Sequence, residues 1–307
     1  MSIVKTDIPQ TYELCEQTIL NLAAKYPFLR TEVLAETSSG RNLRTLVIGS
    51  GPRKVIFSAA WHANEWITAP ILLKFVEDFA AALATGGEIY GMDAGDLAAK
   101  VTVYTVPMVN PDGVDLVTGA IGSEQADYEK AASIAENFPS IPFPDGWKAN
   151  LNGVDLNLQF PAGWLRAREV KFLQGYNRPA PRDYVGRAPL NQPEAAAMAH
   201  YTAYIDPDLI LAYHTQGKDI YWSFLDYEVP GAKELGEKLA QVSGYRLAEP
   251  APNSSYAGYK DWFIKEFRRP GYTIEAGLGA NPLPISQFEE IYRDNLGILV
   301  TAALGNN

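Results

Sequence analysis

Residues 54–66 read KVIFSAAWHANEW. It begins as an almost wholly apolar run, which is typical of a β-strand that is buried on both faces. His62 follows the run, and Glu65 comes three residues later, a spacing that places two side chains on the same side of a helical turn. The stretch therefore predicts a buried strand whose carboxyl end is followed by two polar side chains.

Similar apolar runs alternate with helical patterns along the chain. KVTVYTVPMV (100–109), DPDLILAYH (206–214) and PGYTIEAG (270–277) predict further buried strands. TEVLAE and LRTLVIG, separated by the turn residues SSGRN, predict a β-hairpin. Apolar residues spaced by three or four predict helices over 9–26, 68–83 and 286–304. This alternation predicts an α/β fold with one mixed, mostly parallel sheet and helices on both faces.

Composition limits the classes of partner and site. Among 307 residues, 26 Lys plus Arg stand against 36 Asp plus Glu, and the formal charge of −10 argues against nucleic-acid or anionic-membrane binding. No run approaches the ~20 apolar residues of a membrane span, and the first residues lack the apolar core of a signal peptide, so we expect a cytoplasmic protein. Cys15 is the only cysteine, which excludes a cysteine-rich zinc site.

We expect a single domain over residues 1–307, with one unusual segment. Residues 138–190 are rich in Pro, Gly, Asn and Arg and show little periodicity. Long irregular stretches inside compact domains are more often binding loops than linkers. We therefore expect a substrate-binding segment there, the alternative being a solvated excursion without function.

Two of the three histidines end apolar runs. His62 closes KVIFSAAWH and His214 closes DLILAYH, whereas His200 lies in a helical pattern where a structural or solvated role is expected. Ligands of open α/β sheets gather outside the carboxyl ends of strands. The pair His62 and Glu65 alone is weak evidence, but two His and one Glu form a catalytic zinc set. We predict one zinc ion held by His62, Glu65 and His214.

Hydrolysis of an amide at such a site also needs a base for water and a proton for the leaving amine. Glu275 fits this role because it ends the run GYTIEAG, at the same kind of strand terminus as His62 and His214. The alternative is a solvated glutamate at a sheet edge.

Together these motifs resemble the zinc carboxypeptidases of the carboxypeptidase A type, over residues 38–304 or so. The resemblance rests on GRNL, HANEW, NPDGVDL, NGVDLNLQF, QPE, LAYHTQG, DW and TIEAG, in family order and with near-family spacing. It implies an eight-stranded mixed sheet between helices, the zinc set above, and Glu275 as the acid/base residue. It also implies that Asp155 orients His62 through a hydrogen bond.

The chain departs from this family where a C-terminal carboxylate is bound. The family uses an Asn-Arg pair, of which Asn157 is kept while Leu158 stands in place of the arginine. Leucine makes no charge-assisted hydrogen bond, which argues against cleavage of ordinary C-terminal residues. Asn64 and Lys148 stand in place of two other arginines, and we expect Lys148 to polarise the scissile carbonyl.

A bacterial subgroup, the γ-D-glutamyl diaminopimelate peptidases of cell-wall chemistry, is more similar, through DLNLQFPAGW and PAPRDYVG. It implies cleavage between γ-D-glutamate and meso-diaminopimelate in the stem peptide of a muropeptide. Lys260 aligns with the floor of the family's pocket for the residue after the scissile bond, where an ammonium would favour an acidic side chain. A solvated surface lysine is the alternative.

Four more residues are candidates for substrate binding. The family's mobile tyrosine aligns with Asn253, so we expect Tyr256, or else Tyr259, to take its place, with a packing role as the alternative for either. Arg182 and Arg187 are candidates for holding the α-carboxylate of D-glutamate, with a solvated loop as the alternative.

Two other functions stay open. The first is an ordinary metallocarboxypeptidase that recovers carboxylate recognition from another arginine, such as Arg182. The second is an inactive module that binds cell-wall peptide, against which the complete set of predicted ligands speaks.

Overall fold

A mixed sheet of eight strands runs through the computed structural model, which describes residues 2–250 and 256–306. The described strands are β1 (Arg30–Glu36), β2 (Asn42–Gly49), β3 (Arg53–Ser58), β4 (Glu88–Ile89), β5 (Met92–Asp93), β6 (Val101–Val106), β7 (Leu209–His214), β8 (Asp219–Tyr221), β9 (Arg246–Ala248) and β10 (Gly271–Glu275). In space the sheet runs β1-β2-β6-β3-β7-β10-β8-β9, while β4 and β5 pair separately.

Parallel strands form the centre of this sheet. β6, β3, β7 and β10 are mutually parallel, β1 and β2 form the antiparallel hairpin predicted from the sequence, and β8 is antiparallel to β10. In register, Glu275 of β10 lies opposite His214 of β7. The carboxyl ends of these neighbouring strands therefore lie side by side. The predicted α/β class with a mixed, mostly parallel sheet is confirmed.

Helices cover the sheet. The described α-helices are α1 (Tyr12–Lys25), α2 (Thr68–Thr85), α3 (Ala94–Lys100), α4 (Pro111–Thr118), α5 (Ala126–Ala135), α6 (Trp164–Leu173), α7 (Pro193–Ile205), α8 (Ala232–Ser243), α9 (Tyr259–Phe267) and α10 (Phe288–Leu304). The three helices predicted from periodicity are α1, α2 and α10. Their ends follow capping rules: the Thr11 hydroxyl accepts from the Leu14 N–H, and Gly86 ends α2 in a left-handed conformation.

The sheet separates two apolar clusters, because successive residues of a strand point to opposite faces. On β3, Val55 and Phe57 belong to the cluster that also contains side chains of α1, α2, α8 and α10, whereas Ile56 joins the cluster of α7 and α9. All three side chains have no exposed area. The continuous apolar run is thus explained by burial on both faces.

Residues 138–190 contain more structure than the sequence predicts. A short 3-10 turn spans Leu156–Leu158, and α6 covers ten residues. Charged residues occupy most faces of α6, so no apolar stripe marks it, yet Trp164, Ala167 and Val170 are buried at intervals of three. The remainder packs onto the molecule, as where the Pro181 carbonyl accepts from the N–H groups of residues 148 and 149.

Within the described part of the chain, every helix is too short or too polar to cross a membrane.

Candidate metal centre and active site

The loop that follows β3 carries the first two predicted ligands. The strand ends at Ser58, four residues before His62, so the prediction that His62 closes the strand was wrong in its boundary. A 3-10 turn then spans Ala63–Glu65. Thr68, at the start of α2, fixes this turn, because its hydroxyl accepts from the Ala60 N–H at 2.9 Å and donates to the Glu65 carbonyl at 2.7 Å.

Asn110 and Gly113, from the NPDG motif, hold this loop against the segment of Lys148. The buried Asn110 amide donates to the carbonyls of Trp61, at 3.3 Å, and of Lys148, at 3.2 Å. A Cβ on Gly113 would lie 2.5 Å from the Ala149 carbonyl oxygen, so only glycine allows this approach. In the sequence this motif only marks the resemblance to a family, and the positioning role of both residues becomes visible in the fold.

His62, Glu65 and His214 converge on one point. The Nδ1 atom of His62 lies 2.9 Å from Glu65 Oε1, and the Nδ1 atom of His214 lies 2.9 Å from Glu65 Oε2. The two Nδ1 atoms are 3.2 Å apart. Glu65 and His214 are each 1% exposed, so water satisfies little of this polar cluster.

These three side chains fit a zinc ion. Asp155 Oδ1 lies 3.1 Å from His62 Nε2, which places the proton of a neutral ring on Nε2 and leaves the Nδ1 lone pair facing Glu65 and His214. Three electron-pair donors then face one another, an arrangement that a divalent cation satisfies. Burial lowers the pKa of His62, but the Glu65 and Asp155 carboxylates raise it to about 9, so the site favours positive charge. Two His and one Glu are the donor set of catalytic zinc.

Glu275 is the last residue of β10 and lies beside this cluster. Burial raises its pKa to about 8, with repulsion from Glu65 as the second cause, while Lys148 and His62 act in the opposite direction. A carboxylate with a raised pKa is a better proton acceptor near neutral pH than an ordinary glutamate. A divalent cation held by the three ligands would lower this pKa and keep the carboxylate ionised.

Lys148 adds a positive charge at the same place. Its ammonium donates to Glu65 Oε1 at 2.6 Å, and its side chain is 15% exposed. Burial lowers the pKa of Lys148, but the Glu65 carboxylate raises it above the usual value, so the group is charged.

Two cavities flank the cluster, and Lys148 and Arg182 line both of them. The first, which we call the Glu275 cavity, has a volume of about 570 Å³, and its walls include Asn64, Lys148, Arg182, Tyr221, Glu275 and Asn281. The second, the Asn157 cavity, has a volume of about 200 Å³, and its walls include His62, Lys148, Asn157, Leu158, Lys171, Arg182, Asp183 and Tyr256.

The predicted substrate residues divide into two groups. Asn157, Arg182 and Tyr256 lie in the Asn157 cavity, next to the metal cluster. Arg187 is exposed and lines a separate cavity with Tyr184. Its role in substrate binding stays a prediction.

Lys260 is not the surface lysine of the alternative hypothesis. It is 5% exposed, and its ammonium donates to the Ser223 carbonyl at 2.6 Å and to Asp261. The described residues that line the two cavities do not include Lys260. Its role as the floor of a substrate pocket therefore also stays a prediction, with a charge that Asp261 already balances.

The tyrosine candidates have different surroundings. Tyr256 packs against Gly163 and lines the Asn157 cavity. Tyr259 has no exposed area, and its hydroxyl lies 2.7 Å from that of Thr202, so it has the packing role given as the alternative. Asn253 lies outside the described residues. His200 is exposed on α7, as expected.

Two residues near the cluster were missed as site residues. Asn281 donates to the Thr215 carbonyl at 3.0 Å and has its Nδ2 atom 3.5 Å from Glu65 Oε1. Lys171 reaches the Asn157 cavity from α6. No sequence motif marks Lys171, and the charged residues on most faces of α6 hide the spacing of its three buried side chains.

Comparison with known proteins agrees with this geometry. Residues 15–297 match the zinc carboxypeptidase family, M14. This chain belongs to the zinc carboxypeptidase family. It is therefore a zinc metallopeptidase by family, as predicted, and its cluster of two His and one Glu fits the zinc site of such an enzyme.

Individual relatives extend this result. The chain is 45% identical over 289 residues to gamma-D-glutamyl-L-diamino acid endopeptidase 1 of Lysinibacillus sphaericus, covering 94% of this chain and 71% of that protein. It is 27% identical over 199 residues to murein peptide amidase A of Escherichia coli K12, covering 59% of this chain and 77% of that protein. The crystal structure of thrombin activatable fibrinolysis inhibitor superposes with a TM-score of 0.75 at 16% identity, covering 99% of this chain and 76% of that one, a likeness of fold alone.

Proposed function

We propose that this zinc peptidase hydrolyses the amide bond between γ-D-glutamate and meso-diaminopimelate in peptidoglycan-derived peptides. The observation that carries the proposal is the 45% identity, over 94% of the chain, to a protein described as a gamma-D-glutamyl-L-diamino acid endopeptidase. The site supports it, because Leu158 lines the Asn157 cavity where the family's arginine would bind a C-terminal carboxylate.

The residues of this chain divide the chemistry among them. Zinc held by His62, Glu65 and His214 would lower the pKa of water and polarise a carbonyl. Glu275 accepts a proton from the attacking water as the new C–O bond forms. It returns that proton to the amide nitrogen as the C–N bond breaks.

Lys148 and Asp155 support these steps. The Lys148 ammonium lies within the same cluster and lines both cavities, so it stabilises negative charge on the carbonyl oxygen. Asp155 keeps the His62 ring oriented through Nε2. Asn157, Tyr256 and Arg182 bind the substrate from the Asn157 cavity, Arg182 by its charge.

The test is a digest of L-alanyl-γ-D-glutamyl-meso-diaminopimelate with the zinc-loaded protein, followed by mass spectrometry. We expect L-alanyl-D-glutamate and free diaminopimelate as products, loss of turnover with a chelator, and recovery with zinc. A matched peptide with an α-linked glutamate should stay intact. No cleavage by the zinc-loaded protein, or cleavage at another bond, would contradict the proposal.

One observation favours a second candidate, an ordinary metallocarboxypeptidase. Arg182 places a cation in the cavity where the family binds a C-terminal carboxylate. A pair of α-linked peptides, one with a free and one with an amidated C-terminus, separates the candidates. Strict dependence on the free carboxylate would favour the second.

A further inference from the structure

We propose that Lys171 and Arg182, held side by side by Asp183, form a binding subsite for a carboxylate of the substrate. The proposal rests on the proposed function and adds to it the residues that recognise the substrate's charge. Lys171 lies in α6, outside the sequence motifs that predicted the other site residues.

Asp183 arranges the two cations. Its Oδ1 atom accepts from the Lys171 ammonium, and its Oδ2 atom accepts from Arg182 Nε at 2.7 Å. Both carboxylate oxygens are thus occupied by cationic donors. Both cations line the Asn157 cavity, with 14% of the Lys171 side chain and 42% of the Arg182 side chain exposed.

The subsite is tied to the metal cluster through Asp155. One oxygen of Asp155 faces His62 Nε2, and the other accepts from the Asp183 N–H at 3.2 Å. One carboxylate therefore positions both a metal ligand and the residue that holds the cations. A substrate carboxylate bound by Lys171 and Arg182 would lie at a fixed place relative to the scissile bond.

Donors for an incoming carboxylate remain free. Within residues 2–250 and 256–306, the only side-chain hydrogen bond of Arg182 comes from Nε, so the two Nη atoms are available for bidentate binding. The Asn157 Oδ1 atom accepts from the Tyr259 N–H, which leaves the amide NH₂ as a further donor. Hydrogen bonds to an ionised carboxylate are charge-assisted and are stronger than those between neutral groups.

The charge balance of the cavity also favours an anion. Among its described lining residues, the cations Lys148, Lys171 and Arg182 outnumber the carboxylates Asp155 and Asp183. Leu158 adds an apolar wall to the same cavity. Besides Lys148, the positive charge of the cavity comes from Lys171 on α6 and from the loop that carries Arg182. Such a carboxylate comes either from the D-glutamyl α-carbon or from the diamino acid.

The experiment measures kcat/KM of the zinc-loaded protein for three peptide substrates. These are the free-acid peptide, the peptide with the D-glutamyl α-carboxylate as carboxamide, and the peptide with the diaminopimelate carboxylates as carboxamides. We expect the parent protein to prefer the free acid over one of the two amides by roughly tenfold to a hundredfold, the amide that lowers the rate identifying the source. Lys171→Met and Arg182→Met should each lower that ratio, mainly through KM, because each removes one of the two cations.

Matched variants separate recognition from folding. Lys130→Met and Arg178→Met each remove an exposed cation that does not line the Asn157 cavity. Both variants should keep the parent ratio. Lys171→Arg keeps the charge and should largely restore it. Equal zinc content and unfolding midpoints in all variants show that the fold is intact, which is expected because Asp183 keeps one cation when the other is removed.

Two outcomes overturn the subsite: a parent protein that treats acid and both amides alike, or a Lys171→Met variant that keeps the full ratio. If no peptide is hydrolysed, the proposed function fails, and calorimetric titration of zinc-loaded Glu275→Gln protein with the same three peptides still tests the subsite. Preferential binding of the free acid would then support it, and equal binding would overturn it.

Discussion

Replacing Asp155 by Asn tests how the metal centre is held. Asp155 is 4% exposed, and its carboxylate accepts from three donors: His62 Nε2 at 3.1 Å, the Asn157 N–H at 3.1 Å and the Asp183 N–H at 3.2 Å. Burial raises the pKa of Asp155, but the charge of His62 lowers it below the usual value, so the group is ionised. Asparagine keeps the shape and removes the charge.

The magnitude follows from these contacts. If the asparagine oxygen keeps His62 and Asn157, its NH₂ group faces the Asp183 N–H, and a partly buried donor loses its partner. That loss costs about 1–3 kcal/mol in the free energy of unfolding. The loss of the anionic partner of His62 should weaken zinc binding by roughly 10- to 100-fold, or about 1.4–2.8 kcal/mol.

Two measurements check this prediction. Competition with a chromophoric chelator gives the zinc affinity, and urea unfolding of the chelated protein gives the stability. Asp226→Asn, which neutralises an exposed aspartate, is the control and should change neither. If Asp155→Asn bound zinc as tightly as the parent protein, the positioning of His62 by Asp155 would be refuted.

Three other predictions concern the base, the cation and the loop. Glu275→Gln should retain zinc and lose roughly 10²- to 10⁴-fold in kcat, and near-normal rates would show that another group is the base. Burial and the Glu65 carboxylate raise the pKa of Glu275, whereas the Lys148 ammonium lowers it. Lys148→Met should therefore move the acid limb of the pH profile of kcat/KM to higher pH, and an unmoved limb would contradict this. Gly113→Ala should lower the unfolding free energy by about 1–3 kcal/mol in urea titrations, because its Cβ would meet the Ala149 carbonyl at 2.5 Å, and an unchanged midpoint would show that the loop adapts.

The strands and the metal set were predictable because each depends on local patterns. Continuous apolar runs mark strands that are buried on both faces, and β7 and β10 end at His214 and Glu275 as predicted. Because parallel strands end at one edge of a sheet, the predicted residues meet there. The exact register, in which Glu275 lies opposite His214, is visible only in the tertiary structure.

The remaining features depend on contacts between distant segments. Lys171 lies in a helix whose buried side chains are too few to form a stripe, and only its contact with Asp183 reveals its position. Lys260 was expected in a pocket from its alignment, but the adjacent Asp261 binds its ammonium. Arg187 follows Arg182 by five residues and still lines another cavity, because the chain between them turns at Gly186.

Anomalous diffraction at the zinc edge, from crystals of the protein, tests the metal centre most directly. We predict one peak, bound by Nδ1 of His62, Nδ1 of His214 and the Glu65 carboxylate, with the Glu275 carboxylate beside it. A peak held by other side chains, or no peak in crystals of a protein that is active without added metal, would contradict the assignment of the site.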